Sequence, residues 1–278
     1  MKRTILAVAT SFLCISCTAV IDEASLLPTL KAPEASDVLR PPENYTLSEE
    51  IIELGTLGKV HIVRLDNPNT DDVVIINGGS GHFTQRASRG FARIAHMSGS
   101  DILTYDYPGR GGTTLAATAD TLIAMGPELV AAYRRIGWLK NGQNYVYGFS
   151  FGGSNASNMA RVGGFNGLIL DSTTSDIVAL GRNMSPQAVR PFVRLKIDGD
   201  LSRFDYFSYA VSARVPILLL SASEDELATP AIIQDFATKL RAEGADVTQS
   251  SSSGGHGRAI YGDDTLVAIR DFMAKTKK

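Results

Sequence analysis

Short apolar runs alternate with longer amphipathic stretches from about residue 50 to the end of the chain. Lys59 to Leu65 alternates apolar and polar positions, as a half-buried strand does. Continuous apolar runs, as expected for strands buried on both faces, lie at 73–76, 102–107, 145–147, 168–170 and 217–220. Apolar residues at helical spacing lie between them, at 117–136, 231–240 and 265–273, and Pro127 is compatible with a second helical segment starting there. This alternation predicts an α/β fold with a mostly parallel central sheet flanked by helices.

The stretch from 175 to 214 interrupts this alternation. It is rich in apolar and aromatic residues, among them Met184, Phe192 and Phe204, and shows no clear strand. Long insertions of this kind often form lids or binding segments. We therefore expect a small helical cap that folds over the carboxyl edge of the sheet.

Composition narrows the class of protein. The chain has 278 residues, of which 44% are hydrophobic and 20% charged, and this suits one large globular α/β domain. The net charge of −2 gives no basic footprint, so we expect no nucleic-acid partner.

The N-terminus has the pattern of a secretory signal. Lys2 and Arg3 precede an apolar run from Ile5 to Leu13, which is far shorter than the roughly 20 residues of a membrane-spanning helix. Ser16-Cys17 resembles the end of a bacterial lipoprotein signal, and the resemblance implies lipidation of Cys17 and a membrane anchor on the periplasmic side. Cleavage near Ala19 is the alternative, and it would give a soluble periplasmic or secreted protein.

The rest of the chain divides accordingly. Residues 1–17 are the predicted signal, 18–48 a predicted tether with four prolines, and 49–278 the predicted α/β domain with its cap insertion at about 175–214. Both cysteines, Cys14 and Cys17, precede the domain, so the domain has neither an internal disulfide nor a cysteine nucleophile.

Gly148-Phe149-Ser150-Phe151-Gly152 is a G-x-S-x-G pentapeptide between a predicted strand and a predicted helix. A serine in this place projects from a sharp turn, and flanking glycines leave room for the chain to double back. We therefore predict that Ser150 is a nucleophile.

Four motifs in order resemble the α/β-hydrolase family from about residue 50 onward: NGGSG at 77–81, DYPGRGGT at 106–113, GFSFGG at 148–153, and a late Asp and His. The resemblance implies the α/β-hydrolase fold and a serine hydrolase that needs no metal or organic cofactor. It also implies that the turn beginning at Asp106 is structural and braces the site.

The same resemblance implies an oxyanion hole made by the backbone amides of Gly79 and Phe151, with Ser80 as a second choice for Gly79. Ser80 and His82 are predicted to contact the substrate, although a lone loop histidine is more often structural. Asn77 stands where the family usually has histidine.

The catalytic base is predicted to be His256, the only histidine after Ser150 in a family whose order is Ser, acid, His. Asp225, after the apolar run at 217–220, is the predicted acid that orients the imidazole. Asp171, at the end of the preceding strand, is the alternative, and an offset to Glu224 or Glu226 also remains open.

These residues predict hydrolysis of a carboxylic ester of a small molecule through an acyl-enzyme on Ser150. An aminopeptidase remains open, because NGGSG resembles the HGGPG loop of proline iminopeptidases, and so do a thioesterase and an acyltransferase. A membrane-anchored binding protein without catalysis is the hypothesis from another class. The sequence leaves the oligomeric state open.

Overall fold

The computed structural model describes residues 17–27, 40–85, 88–139, 141–188 and 190–277. The predicted signal therefore lies outside the described residues except for the backbone of Cys17. In chain order the strands are β1 (Cys17–Ile21), β2 (Thr46–Leu54), β3 (Gly58–Asp66), β4 (Val73–Asn77), β5 (Asp101–Tyr105), β6 (Asn144–Phe149), β7 (Gly167–Asp171), β8 (Val193–Ile197), β9 (Ile217–Ala222) and β10 (Val247–Ser252). The helices are α1 (Glu23–Leu26), α2 (Ser88–Ser98), α3 (Ala119–Arg135), α4 (Gly152–Ala160), α5 (Ile177–Met184), α6 (Gly199–Ser202), α7 (Tyr206–Ser212), α8 (Pro230–Ala242) and α9 (Asp263–Thr276).

Eight strands form one central sheet in the order β10-β9-β7-β6-β4-β5-β3-β2. Its neighbours pair in parallel from β10 to β5, while β3 is antiparallel to both β5 and β2. Every residue of β4, β5 and β7 is buried, as continuous apolar strands require when helices cover both faces. This confirms the predicted α/β class with a mostly parallel sheet.

The parallel strands place the motifs singled out by sequence analysis at one edge of the sheet. β4, β6, β9 and β10 run in the same direction, so the loops that follow them emerge together at their carboxyl ends. Open α/β sheets bind their ligands at this edge.

Helix α3 continues through Pro127 without a break, so no second helix starts there. Proline has no N–H to donate to the carbonyl four residues earlier. The side chain of Asn158, from α4, replaces it: Nδ2 donates to the Ile123 carbonyl at 3.0 Å and to the Leu122 carbonyl at 3.0 Å. A buried asparagine thereby satisfies the carbonyl that the proline leaves free.

The cap, residues 175–214, contains α5, α6 and α7 but also a strand, which sequence analysis did not predict. This strand, β8, alternates exposed Arg194 and Lys196 with half-buried apolar residues. It pairs in parallel with β1 over all five residues, from Cys17 opposite Val193 to Ile21 opposite Ile197.

The pairing also shows that part of the tether predicted at residues 18–48 is structured. The first part of the predicted tether holds β1 and α1, which are packed on the cap. The central sheet begins at Thr46, so the boundary predicted at residue 49 falls inside β2. In the described part of the chain, no helix is long and apolar enough to cross a membrane.

Candidate active site

Ser150 lies in a tight turn between β6 and α4. Its φ is 51°, in the left-handed region that non-glycine residues rarely adopt, and its amide donates to the Asp171 carbonyl at 2.9 Å. A Cβ on Gly152 would overlap the carbonyl oxygens of Asn77 and Gly78, and a Cβ on Gly148 would lie 2.5 Å from the Gly152 carbonyl oxygen. The two glycines of the pentapeptide are therefore required by close backbone approach, and the turn projects the hydroxyl beyond the sheet edge.

A chain of hydrogen bonds connects Ser150 to His256 and Asp225. The Nε2 atom of His256 lies 3.1 Å from Ser150 Oγ, and its Nδ1 lies 2.9 Å from Asp225 Oδ2. The tautomer that satisfies both contacts donates Nδ1–H to the carboxylate and leaves Nε2 as the acceptor of the serine proton. The structure thus brings together the three residues that sequence analysis selected.

The Asp225 side chain is fully buried and held in place. Its Oδ1 accepts hydrogen bonds from the amides of Leu227 and Ala228, each at 2.9 Å, which leaves Oδ2 directed at His256. The imidazole ring packs on Phe149, with ring centroids 5.1 Å apart. These contacts orient both partners of the serine before substrate arrives.

The alternative acids have other positions. Asp171 is buried, and its carboxylate accepts hydrogen bonds from the hydroxyls of Tyr147 at 2.5 Å and Ser172 at 2.9 Å. Burial raises the pKa of Asp171 to about 6. Glu224 and Glu226 are exposed. Asp171 therefore lies beside the nucleophile turn, while Asp225 is the carboxylate that contacts the imidazole.

The loop after β4 places the backbone of Gly79 beside the nucleophile. A Cβ on Gly79 would lie 3.7 Å from Ser150 Cβ and 3.1 Å from the Phe149 ring. In the described part of the chain, the amides of Gly79 and Phe151 make no hydrogen bond to a backbone oxygen in a turn, a loop or a helix cap. Both amides are therefore available for a substrate oxygen, as the predicted oxyanion hole requires.

Buried polar side chains brace this loop. Asn77 accepts a hydrogen bond from the Tyr105 hydroxyl at 2.7 Å and donates to the Tyr147 carbonyl at 3.2 Å, and the Tyr107 hydroxyl donates to the Gly78 carbonyl. Sequence analysis treated Asn77 only as a replacement for histidine. Its place at the end of a wholly apolar strand was the signal for a buried structural role.

Asp106 also has a structural role, as the resemblance implied. Its carboxylate accepts from the Thr84 amide at 3.0 Å and lies 2.8 Å from Nδ1 of His61. The side chain of Arg110, from the same turn, donates to the His82 carbonyl at 3.3 Å. The turn after β5 thus holds the loop that carries Gly79.

The structure does not bring His82 to a substrate site, in contrast to the sequence prediction. Its side chain is buried, with Nε2 at 3.2 Å from both Thr104 Oγ1 and the Tyr105 carbonyl oxygen. Burial lowers the pKa of His82 to about 4. A neutral histidine whose Nε2 is held by β5 and whose ring packs against Phe91 and Tyr107 has a structural role.

A cavity of about 220 Å³ opens beside Ser150. It is lined mainly by small polar and apolar side chains: Ile21, Ser25, Ser80, Ser150, Phe151, Ser154, Thr173, Thr174, Ile177, Leu180, Gly181, Met184, Phe204, Tyr206, Leu227 and His256. Ser80 therefore lies where sequence analysis placed it. The residues from β1 and α1 were missed, because no local motif marks them, whereas the cap was expected to fold over this edge of the sheet.

Thr173 and Tyr206 connect the cap to the nucleophile. The Thr173 hydroxyl donates to the Ser150 carbonyl at 2.7 Å, and its Oγ1 lies 3.2 Å from the Tyr206 hydroxyl oxygen. Tyr206 begins α7 and is buried. One side of the cavity is therefore fixed to the backbone of the catalytic serine.

Two other predicted features can be placed. Cys17 is the first residue of β1, and its side chain lies outside the described part, so lipidation stays a prediction. Across the described ranges, no group of three or more His, Cys, Asp or Glu side chains could hold a metal ion.

Comparison with known proteins agrees with this architecture. An esterase of Pyrococcus furiosus superposes with a TM-score of 0.67 at 17% identity, over 87% of this chain and 98% of that one. An esterase of Pyrobaculum calidifontis superposes with a TM-score of 0.59 at 17% identity, over 92% of this chain and 90% of that one. A structure from an analysis of two fungal esterases from Rhizomucor miehei superposes with a TM-score of 0.59 at 15% identity, over 86% of this chain and 87% of that one. These identities show a shared fold. No curated protein matches the chain. The model of the alpha/beta hydrolase family matches residues 73–275, well over half of the sequence, and the chain belongs to that family.

Proposed function

We propose that this chain is a serine hydrolase that cleaves carboxylic esters through an acyl-enzyme on Ser150. The observation that carries the proposal is the hydrogen-bond chain from Ser150 Oγ to His256 Nε2, at 3.1 Å, and from His256 Nδ1 to Asp225, at 2.9 Å. Nucleophile, base and orienting acid in this arrangement perform acyl transfer on many unrelated folds.

In the first half-reaction, Ser150 Oγ attacks the ester carbonyl carbon while His256 takes the hydroxyl proton. The carbonyl oxygen becomes an oxyanion, which the amides of Gly79 and Phe151 stabilise. The bond to the leaving oxygen then breaks, and His256 returns the proton to that oxygen. An alcohol departs and an acyl group remains on Ser150.

In the second half-reaction, water replaces the alcohol. His256 takes a proton from the water as its oxygen attacks the acyl carbon, and a second oxyanion forms at the same amides. Collapse breaks the bond to Ser150, whose oxygen recovers the proton from His256, and a carboxylic acid is released. Asp225 stabilises the imidazolium in each step.

The cavity supports a neutral, compact acyl group. Among its described lining residues there is no Asp, Glu, Lys or Arg, so a free amino terminus would find no carboxylate partner inside this cavity. This disfavours an aminopeptidase. The volume of about 220 Å³ is below the roughly 300–1,000 Å³ of sites for drug-sized ligands, which favours short acyl chains.

A fluorophosphonate probe and a series of p-nitrophenyl esters test the proposal. Wild type is expected to label and to turn over the short esters, and Ser150→Ala is expected to lose labelling and about 10⁶-fold of kcat. Ser221→Ala is the control, since this half-buried β9 hydroxyl only donates to the Ser250 carbonyl, at 3.4 Å. A folded wild type that neither labels nor turns over esters would favour a binding protein. Labelling with faster thioester or amide turnover would keep the nucleophile and change the substrate class.

We also propose that the protein is exported and anchored through a lipid on Cys17. The basic start, the short apolar run and Ser16-Cys17 support this. Radiolabelled palmitate supplied to expressing bacteria should enter the wild type and the Cys14→Ala control but not Cys17→Ala. Equal incorporation in both variants, or none in wild type, would contradict the anchor.

A further inference from the structure

Residues 17–27, the N-terminal segment, are fixed to the rest of the molecule at both ends. β1 pairs with β8 of the cap, and the Asp198 amide extends the pairing by donating to the Ile21 carbonyl at 2.9 Å. The Glu23 carboxylate accepts from the Ala119 amide at 2.5 Å. That amide begins α3, where backbone N–H groups lack partners and the helix dipole favours a negative charge.

Among the described side chains of β1, Ile21 is the one that is buried. It is 9% exposed, it packs with buried Leu201 and Ala119, and it lines the cavity that holds Ser150. Val20, its neighbour, is 54% exposed, and Thr18 and Ala19 are exposed as well. One side chain of β1 therefore contacts the space beside the nucleophile and the next faces solvent.

A glycine in α5 lets Ile21 come close. A Cβ on Gly181 would lie 3.0 Å from Ile21 Cδ1, and Gly181 lines the same cavity. Leu180 and Met184 of this helix line it too. The apolar wall of the cavity thus combines one helix of the cap with a strand that precedes the region matched by the family model.

We propose that Ile21 is a specificity-determining residue that limits the length of the acyl chain accepted at Ser150, an inference that rests on the proposed esterase function. The side chain occupies space that a longer acyl group would need. Shortening it extends the cavity without altering any contact of Ser150, His256 or Asp225. The expected effect is a change in which ester is preferred, with the chemistry itself intact.

The test compares Ile21→Ala with Val20→Ala, both in the full-length chain, on p-nitrophenyl esters from acetate to decanoate. In Ile21→Ala the ratio of kcat/KM for octanoate over butyrate should rise about tenfold, because a few methylene groups in an apolar pocket carry discrimination of that size. Ile21→Val, which removes one carbon and is the milder change for folding, should raise the ratio about fourfold. Val20→Ala should leave it within about twofold of wild type.

Fluorophosphonate labelling separates the proposed role of Ile21 from the proposed esterase function. If Ile21→Ala and Ile21→Val label like wild type and keep its ester preference, the role of Ile21 is overturned and the esterase stands. The same holds if Val20→Ala shifts the preference equally, since general loosening of β1 would then be the cause. A wild type that neither labels nor hydrolyses any ester overturns both.

Discussion

Two helices line the same cavity and differ completely in burial. All nine residues of α4, which follows the nucleophile, are buried, whereas no residue of α5 in the cap is. α4 packs between the sheet and α3, so a shift in it would disturb the core. The side chains of α5 can adjust to a neighbour at small cost. The serine side of the cavity is therefore more tightly constrained by packing than the cap side.

The largest effect should come from the serine side. Asp225→Asn preserves shape but reverses the imidazole tautomer, so kcat should fall about 10⁴-fold. The fall should be equal for every ester in the series, because no contact with the acyl chain changes. A fall that depended on chain length would show that Asp225 also shapes the acyl site. Asp171→Asn is the matched control and should lose less than about tenfold, since Asp171 does not contact His256.

Alanine substitutions at two glycines, one in α4 and one in α5, compare the two helices directly. Gly152→Ala places a Cβ against the backbone carbonyl oxygens of Asn77 and Gly78. Because the backbone has to shift to admit it, activity should fall about 100-fold and the free energy of unfolding by about 1–3 kcal/mol. Gly181→Ala meets only the ends of the Ile21 and Leu195 side chains, both at 3.0 Å. Its unfolding free energy should change by less than about 1 kcal/mol, because alanine also favours the helix. Urea unfolding and kcat/KM are measured for both variants. Equal losses of stability and activity in the two would contradict the difference between α4 and α5.

The last effect depends on pH and concerns the charge of Asp171, beside the nucleophile turn. The pKa of Asp171 rises from 3.8 to about 6 in the folded protein, so the folded state binds this proton more tightly. Wild-type stability relative to Asp171→Asn should therefore fall as the pH rises from about 4 to 6, by at most about 1.4 kcal/mol per pH unit. Urea unfolding at several pH values measures this, with exposed Asp271→Asn as the surface control. A stability difference between wild type and Asp171→Asn that stays constant with pH would mean that folding does not raise the pKa of Asp171.

Sequence analysis succeeded where a few adjacent residues dictate the geometry. The turn at Ser150 and the run before Asp225 are local patterns with a clear physical reason. It failed for β1 and β8, whose pairing joins residues distant in the chain and whose alternation is too short to stand out. It also misplaced His82, because a loop position does not reveal that neighbouring strands bury the ring. Sequence analysis did not predict β2, an edge strand with one buried residue, Leu54, and its domain boundary at residue 49 falls inside that strand.

The position of β1 affects how this protein should be produced. The match to the family model begins at residue 73, so a recombinant form trimmed to begin at β2 would contain the whole matched region and keep Ser150, Asp225 and His256. It would lack Ile21, so the proposed role of that residue implies that the trimmed form would prefer different esters from the full-length chain.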